Sequence, residues 1–312
     1  MVLVVQSGGA KAVPEWRSCF AELVPDLEVI GWDDPALRPE AVDYALVWDP
    51  DPTRLASLTS LQAVFCSGAG VEHLVANPGL KPGIPVVRCV PPEAGQRMGE
   101  YVCWAVLALA KETRRAALLQ AERRWEYYEP YLSAADRRVG IMGMGHMGQR
   151  TAEMLRGLGI QVHGWSRSRK SIPGVQSFAG AAEFDAFLAQ TDVLVCLLPS
   201  TPETDGLIAA PLLSKLPKGA GLVQAGRGAQ QVVPDILAAL DSGQLSGAVI
   251  DVFAPEPVPP EDPVWTHPGV IVTPHLASIP NRPERARYIA AAIHALRRGE
   301  APAHLYDHSR GY

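Results

Sequence analysis

Between Val139 and Arg150 the chain reads VGIMGMGHMGQR, an apolar run, three glycines spaced GxGxxG, and then a helical pattern. Few local sequences restrict a fold as much. Gly143 permits a tight turn, Gly145 lets a ligand approach the backbone, and Gly148 lets the following helix pack closely on the strand before it. The helix N-terminus then presents amide groups to negative charge. A strand–turn–helix unit of this kind belongs in a parallel sheet and predicts dinucleotide binding.

The surrounding pattern agrees. MVLVV, DLEVIGW, DYALVW, LQAVFCSGAG and IPVVRCV read as five short buried strands separated by turn or helix signals. VPPEAGQRMGE interrupts that rhythm, and a long helix is expected from about Gly99 to Trp125, with Val102, Val106, Leu109 and Ala110 at helical spacing. A second series then runs through RRVGIMGMG, QVHGW, DVLVCLLP, GLVQAG, GAVIDVF and VIVTPH, before a closing helix over Glu284–Arg298. Alternating strands and helices imply parallel sheets with helical crossovers. The expected class is α/β with two doubly wound domains, a Rossmann dinucleotide-binding domain and a smaller flavodoxin-like one. The closing helix is expected to return to the first domain. That gives a discontinuous substrate domain of residues 1–100 plus 282–312 around a nucleotide domain of residues 101–281.

Composition bounds the partners. The net charge of −5 argues against general attraction to nucleic acid or an anionic membrane surface. No apolar run reaches the roughly 18 residues of a membrane span, and MVLVV is too short for a signal peptide. Cys19, Cys66, Cys89, Cys103 and Cys196 form no CxxC pair and no metal-type spacing with histidine, so reduced thiols, no metal and a cytoplasmic location are expected.

After the second strand of the nucleotide series, where the dinucleotide fingerprint places an acid, the chain reads HGWSRSRKS. An acid there accepts bonds from the ribose hydroxyls and repels a 2′-phosphate. Ser166, Arg167 and Arg169 reverse that preference, because a guanidinium matches phosphate with paired, charge-assisted hydrogen bonds. The stretch selects NADP(H) over NAD(H).

Further motifs carry a family resemblance. AGRG at Ala225–Gly228, DVFAPEP at Asp251–Pro257, TPH at Thr273–His275, LLPSTPET at Leu197–Thr204 and SGAGVEHL at Ser67–Leu74 resemble the D-isomer-specific 2-hydroxyacid dehydrogenases. GWSRSRKSIPGV, YALVWDP, VPPEDPVW and the terminal SRGY resemble one branch, the NADPH-dependent glyoxylate/hydroxypyruvate reductase A group. The resemblance covers nearly the whole chain. It implies catalytic roles for Arg227, Glu256 and His275, and substrate-carboxylate contacts from Ala69 and Gly70. It also implies further cofactor contacts at Met147, Leu198, Pro199, Thr204, Ala225 and Asp251. NADP(H) and a small 2-oxo acid are expected in a cleft between the domains, and a homodimer is expected around the long helix.

The chemistry suits those residues. Arg227 offers a rigid fork for a carboxylate, His275 exchanges a proton near neutral pH, and Glu256 fixes the imidazole tautomer. Trp48 is a candidate wall for the substrate. Arg282 reads first as a solvated charge at a helix start, and His73, His146, His163, His267 and His294 as structural. Two departures stand out: Gln224 where the family commonly has Asn, and LASIP after His275 in place of a glycine-rich segment. Reduction of glyoxylate to glycolate and hydroxypyruvate to D-glycerate is the expected reaction. Another 2-oxo acid (pyruvate, 2-ketogluconate, phenylpyruvate), or a non-catalytic NADP(H)-sensing protein on the same fold, stays open at this point.

Overall fold

The structure is a computed structural model that describes residues 1–128 and 133–307; the SRGY motif lies outside the described residues. The chain divides into two compact units, one formed by Met1–Glu93 and Ile279–Tyr312, the other by Ala94–Ser278. The break thus falls at the start of the helix Pro92–Ala110, several residues ahead of position 100. VPPEAGQRMGE was expected to interrupt the chain, but Pro92 sits at the helix start, where its missing N–H costs nothing. Gly95 and Gly99 lie inside this helix against His146 and Met154.

In the first unit, strands β1 (Val2–Val5), β2 (Glu28–Gly31), β3 (Tyr44–Val47), β4 (Ala63–Cys66) and β5 (Val86–Arg88) form a parallel sheet in the order β2-β1-β3-β4-β5. This is the flavodoxin-like order. Trp16 and Phe20 of the helix Val13–Leu23 cover one face together with Ala286, Ile289 and Ile293 of the helix Arg282–Arg297. Leu55, Leu58 and Leu74 cover the other. The closing helix starts at Arg282, two residues before the expected Glu284, because Asn281 and Glu284 form a reciprocal capping box.

The second unit holds β6 (Arg138–Met142), β7 (Gln161–Ser166), β8 (Gln176–Ala179), β9 (Val193–Cys196), β10 (Ala220–Gln224), β11 (Leu245–Ile250) and β12 (Val270–Val272). All pair in parallel, in the order β12-β11-β10-β9-β6-β7-β8. The chain runs outward from β6 in both directions, so the switch point lies between β6 and β9, where open α/β sheets bind ligands beyond the strand ends. β8 was not anticipated. Its sequence, QSFA, is half polar, and it lies at the sheet edge with one buried side chain, Phe178.

The helix expected from Gly99 to Trp125 is two helices, Pro92–Ala110 and Thr113–Ala121. Glu112, at φ 50°, turns the backbone into the left-handed region and ends the first. Neither glycine nor proline marks that break in the sequence. Trp125 lies beyond both helices and is 99% exposed. No helix among the described residues is long and apolar enough to cross a membrane, and none of the five cysteines is in a disulfide.

Candidate active site

The turn after β6 carries the glycine fingerprint. Gly143 has φ 103°, and a Cβ there would lie 2.7 Å from the Leu197 carbonyl oxygen. At Gly148 a Cβ would fall 2.0 Å from the Gly143 oxygen, so strand and helix close up only without a side chain. Gly145 caps the helix His146–Gly157, and a Cβ on it would meet nothing within 4 Å. The fingerprint therefore leaves open space at one glycine, above a helix N-terminus suited to a pyrophosphate. Met147 is half-buried against the core on that side of the sheet.

At the end of β7, Ser166 donates its hydroxyl to the Ser168 carbonyl at 2.8 Å. Arg167 is exposed. Its charge reaches the loop after β9, where Glu203 is held below the usual carboxylate range by a hydrogen bond from Thr201 and, more weakly, by Arg167. Arg169 is engaged elsewhere, ion-paired to Glu183 and donating to the Ser177 carbonyl. In the loop after β9, Thr204 accepts from the Thr201 amide at 2.9 Å and donates to the Pro199 carbonyl at 2.9 Å. Leu198 and Ala225 are buried, with the Leu198 and Pro199 carbonyls accepting from Gln230.

Arg227, Glu256 and His275 follow β10, β11 and β12, three neighbouring strands, so all three rise from one edge of one sheet. His275 Nδ1 lies 2.7 Å from Glu256 Oε2, and Glu256 Oε1 accepts the Phe253 amide at 2.8 Å. The carboxylate is therefore fixed from both sides, and Nδ1 is the nitrogen that donates to it. Both side chains remain about one-third exposed, leaving the far ring nitrogen for chemistry. Gly228 packs so tightly on the Phe253 backbone that a Cβ would fall 1.9 Å from its carbonyl carbon. This glycine presses the Arg227 turn against the Glu256 loop.

Several supports were not legible in the motifs. Gln224, the departure from the common Asn, is fully buried; its amide donates to the Arg227 carbonyl at 3.1 Å and its oxygen accepts from Gly226 at 3.1 Å. The glutamine thereby shapes the turn itself. Gln230 accepts the Arg227 amide at 2.8 Å. Asp251, expected at the cofactor, is 2% exposed and accepts from Thr273 Oγ1 at 2.5 Å, Leu276 N at 3.0 Å and Ala277 N at 2.9 Å. It anchors the loop that bears His275. Tyr101 bonds Thr273 Oγ1 at 2.7 Å, extending that anchor to the long helix.

In the first unit, the loop after β4 carries Ala69 and Gly70. Their carbonyls accept from Arg88 Nε at 2.8 Å and Cys66 Sγ at 3.2 Å, while their own amides donate to nothing among the described residues. Trp48, 38% exposed, packs on His73 with ring centroids 4.1 Å apart. Arg282 is ion-paired to Glu15. Among the described residues no cluster of His, Cys, Asp and Glu is arranged to hold a metal.

A glycine-fingerprint turn at the switch point, with an Arg, Glu and His at the ends of adjoining strands, defines the class of dinucleotide-dependent oxidoreductases. Residues 103–277 match the model of the D-isomer specific 2-hydroxyacid dehydrogenase NAD binding domain. Among solved structures, a D-isomer specific 2-hydroxyacid dehydrogenase from Xanthobacter autotrophicus Py2, in complex with NADPH and MES, is 37% identical (TM-score 0.92, covering 100% of this chain and 99% of that one). An NADPH-dependent glyoxylate/hydroxypyruvate reductase from Sinorhizobium meliloti, with NADP and sulfate, is 38% identical (TM-score 0.90, 100% and 99%). A probable 2-hydroxyacid dehydrogenase from Rhizobium etli CFN 42, with NADP, HEPES and L(+)-tartaric acid, is 36% identical (TM-score 0.89, 100% and 99%). The protein belongs to the D-isomer specific 2-hydroxyacid dehydrogenase family.

Proposed function

We propose that this protein reduces small 2-oxo acids with NADPH, converting glyoxylate to glycolate and hydroxypyruvate to D-glycerate. The observation that carries the reading is the 2.7 Å contact between His275 and Glu256, with Arg227 on the adjoining strand end. When bound, NADPH supplies the hydride. The residues supply the rest. Arg227 grips the substrate carboxylate and polarises the carbonyl. His275 gives the proton from Nε2 to the carbonyl oxygen, while Glu256 holds the ring through Nδ1. Ala69 and Gly70 donate their amides to the carboxylate, and Trp48 lines the substrate. Ser166 and Arg167 hold the 2′-phosphate, and the NADP-bound relatives support that choice.

The test is a panel of 2-oxo acids assayed with NADPH and with NADH. We expect glyoxylate and hydroxypyruvate to be turned over, with NADPH preferred by roughly tenfold or more, the value of one charge-assisted contact. Arg167→Ala should raise the KM for NADPH and leave that for NADH nearly unchanged. His275→Ala should lower kcat by about 10²–10⁴ while NADPH still quenches protein fluorescence. Equal losses with both cofactors in the Arg167 variant would remove it from the 2′-phosphate. A homodimer is part of the same proposal, supported by the exposed Trp104, Leu107, Trp125 and Tyr127 on and after the long helix; sedimentation equilibrium tests it.

A further inference from the structure

Arg169 belongs to the loop that follows β7, where the sequence calls for a cation to meet a 2′-phosphate, yet its guanidinium is already bound to an anion. Its Nη2 pairs with Glu183 Oε1, and its Nη1 donates to the Ser177 carbonyl. Glu183 Oε2 accepts the Ala179 amide at 2.7 Å, so the carboxylate is held through both oxygens.

Backbone bonds fix where this pair stands. The Gly180 amide donates to the Ser166 carbonyl at 3.1 Å, and Trp165 Nε1 donates to the Gly180 carbonyl at 2.9 Å, which joins the end of β7 to the residue after β8. Arg169 lies three residues beyond Ser166, and Glu183 three residues beyond Gly180. Three residues span at most about 10 Å. The Lys170 amide closes the loop by donating to Ser177 Oγ at 3.1 Å. An acid therefore stands close to the strand end where the fingerprint of an NAD-type site carries one, with its two oxygens on Arg169 and the Ala179 amide.

The chemistry of the pair points to an exchange. A phosphate monoester carries nearly two negative charges at neutral pH and takes a guanidinium by paired hydrogen bonds. The Arg169 and Glu183 side chains are 58% and 37% exposed, and an ion pair so open to solvent is weak. A dianion arriving at Ser166 and Arg167 can draw Arg169 away from Glu183. The 2′-hydroxyl of an NAD-type cofactor brings no charge to do so.

We propose that Glu183 sets the strength of NADP(H) binding: it holds Arg169 as a stand-in for the 2′-phosphate, and the incoming phosphate displaces it. The proposal rests on the assignment above of the 2′-phosphate to Ser166 and Arg167. Full contact with NADP(H) then breaks one ion pair, and contact with NAD(H) breaks none.

Glu183→Gln keeps the size and an oxygen for the Ala179 amide while removing the charge. Fluorescence titration should show NADPH bound about two- to fivefold more tightly by this variant, the value of one exposed ion pair, with NADH affinity unchanged. The unchanged NADH affinity also shows that the variant is folded. Fragments of the cofactor give the same contrast without a nicotinamide: adenosine 2′,5′-bisphosphate should raise the variant's Tm more than the parent's, and 5′-AMP should raise both equally. In an Arg169→Met background the gain from Glu183→Gln should disappear, because no guanidinium is left to release. Weaker or unchanged NADPH binding in Glu183→Gln, an equal gain with NADH, or a gain that survives Arg169→Met would overturn the proposal. The 2′-phosphate assignment fails separately. If Arg167→Ala left NADPH binding unchanged while Glu183→Gln tightened it, the role given to Arg167 would fall and the exchange at Arg169 would stand.

Discussion

His275 has φ 52°, left-handed backbone that a residue with a Cβ adopts only when its surroundings impose it. Here the imposing group is Asp251. Its backbone oxygen accepts the His275 amide at 2.8 Å, and its carboxylate accepts the amides of Leu276 and Ala277. The sequence motifs name the imidazole and its carboxylate partner, but the acid that holds the loop in place is invisible without the fold. Asp251→Asn places an N–H₂ among groups that donate. Each charged hydrogen bond weakened this way is worth roughly 1.5–3 kcal/mol, so the variant should lose that order of stability in denaturant unfolding. Its kcat should also fall by about tenfold or more, the scale of about 1.4 kcal/mol of misplaced proton donor. A variant that melts early but keeps the parent's kcat would show that Asp251 supports the fold without positioning His275.

At the scale of elements, legibility followed hydrophobic contrast. Strands buried along most of their length, such as Val193–Cys196, stand out as apolar runs. The edge strand Gln176–Ala179 does not, since one face needs no apolar cover. The stop at Glu112 was equally silent, because a left-handed glutamate has no sequence signature of the kind glycine provides. His163 lies on β7, and its packing makes stability depend on pH. It is 4% exposed, between the rings of Phe178 and Phe187, and its Nε2 lies 2.8 Å from Thr191 Oγ1. Thr191 donates to the Phe187 carbonyl at 2.7 Å, so the ring is the donor to Thr191. Burial, with a smaller contribution from Arg138, lowers its pKa from 6.5 to about 4. The unfolded chain takes up this proton as pH falls through 6.5 and the folded chain does not until about 4. Stability should therefore be complete above 6.5 and decline across that window, by up to about 3 kcal/mol at roughly 1.4 kcal/mol per pH unit. Asp192, whose carboxyl burial raises but the hydrogen bonds and charge of Arg138 bring below its ordinary value of 3.8, loses its contribution only at more acid pH. Urea unfolding of the parent and His163→Gln from pH 7.5 to 4 checks this. A parallel decline in both proteins would assign the acid sensitivity to other groups.

At the scale of the molecule, sequence continuity and structural unity part company. The second unit is one uninterrupted segment with its own core, and the helix Pro92–Ala110 gives Met98, Tyr101, Val102, Ala105 and Val106 to that core. The first unit is assembled from both ends of the chain: Trp16 and Phe20 share a core with Ala286, Ile289 and Ile293, residues more than 260 positions away. The return of the closing helix to the first series is an expectation of the sequence, but its packing partner is not, because helix faces carry no address. The asymmetry predicts how the protein tolerates being cut. Residues 92–278, expressed alone, should unfold cooperatively, since no strand of their sheet or turn of their fingerprint is missing. That fragment should bind NADPH and be stabilised by it, by about 2.7 kcal/mol at a hundred times the dissociation constant. Residues 1–93 alone should not fold, because one face of their sheet is stripped of the closing helix and its apolar side chains are left in water. Adding residues 279–307 to that segment through a flexible linker should restore the cooperative transition. Circular dichroism melts of the three fragments, with NADPH fluorescence titration of the first, are the measurement. A fragment 92–278 without a transition, or folded but indifferent to NADPH, would mean that the fingerprint turn depends on the rest of the chain and that the nucleotide site is not the property of one unit.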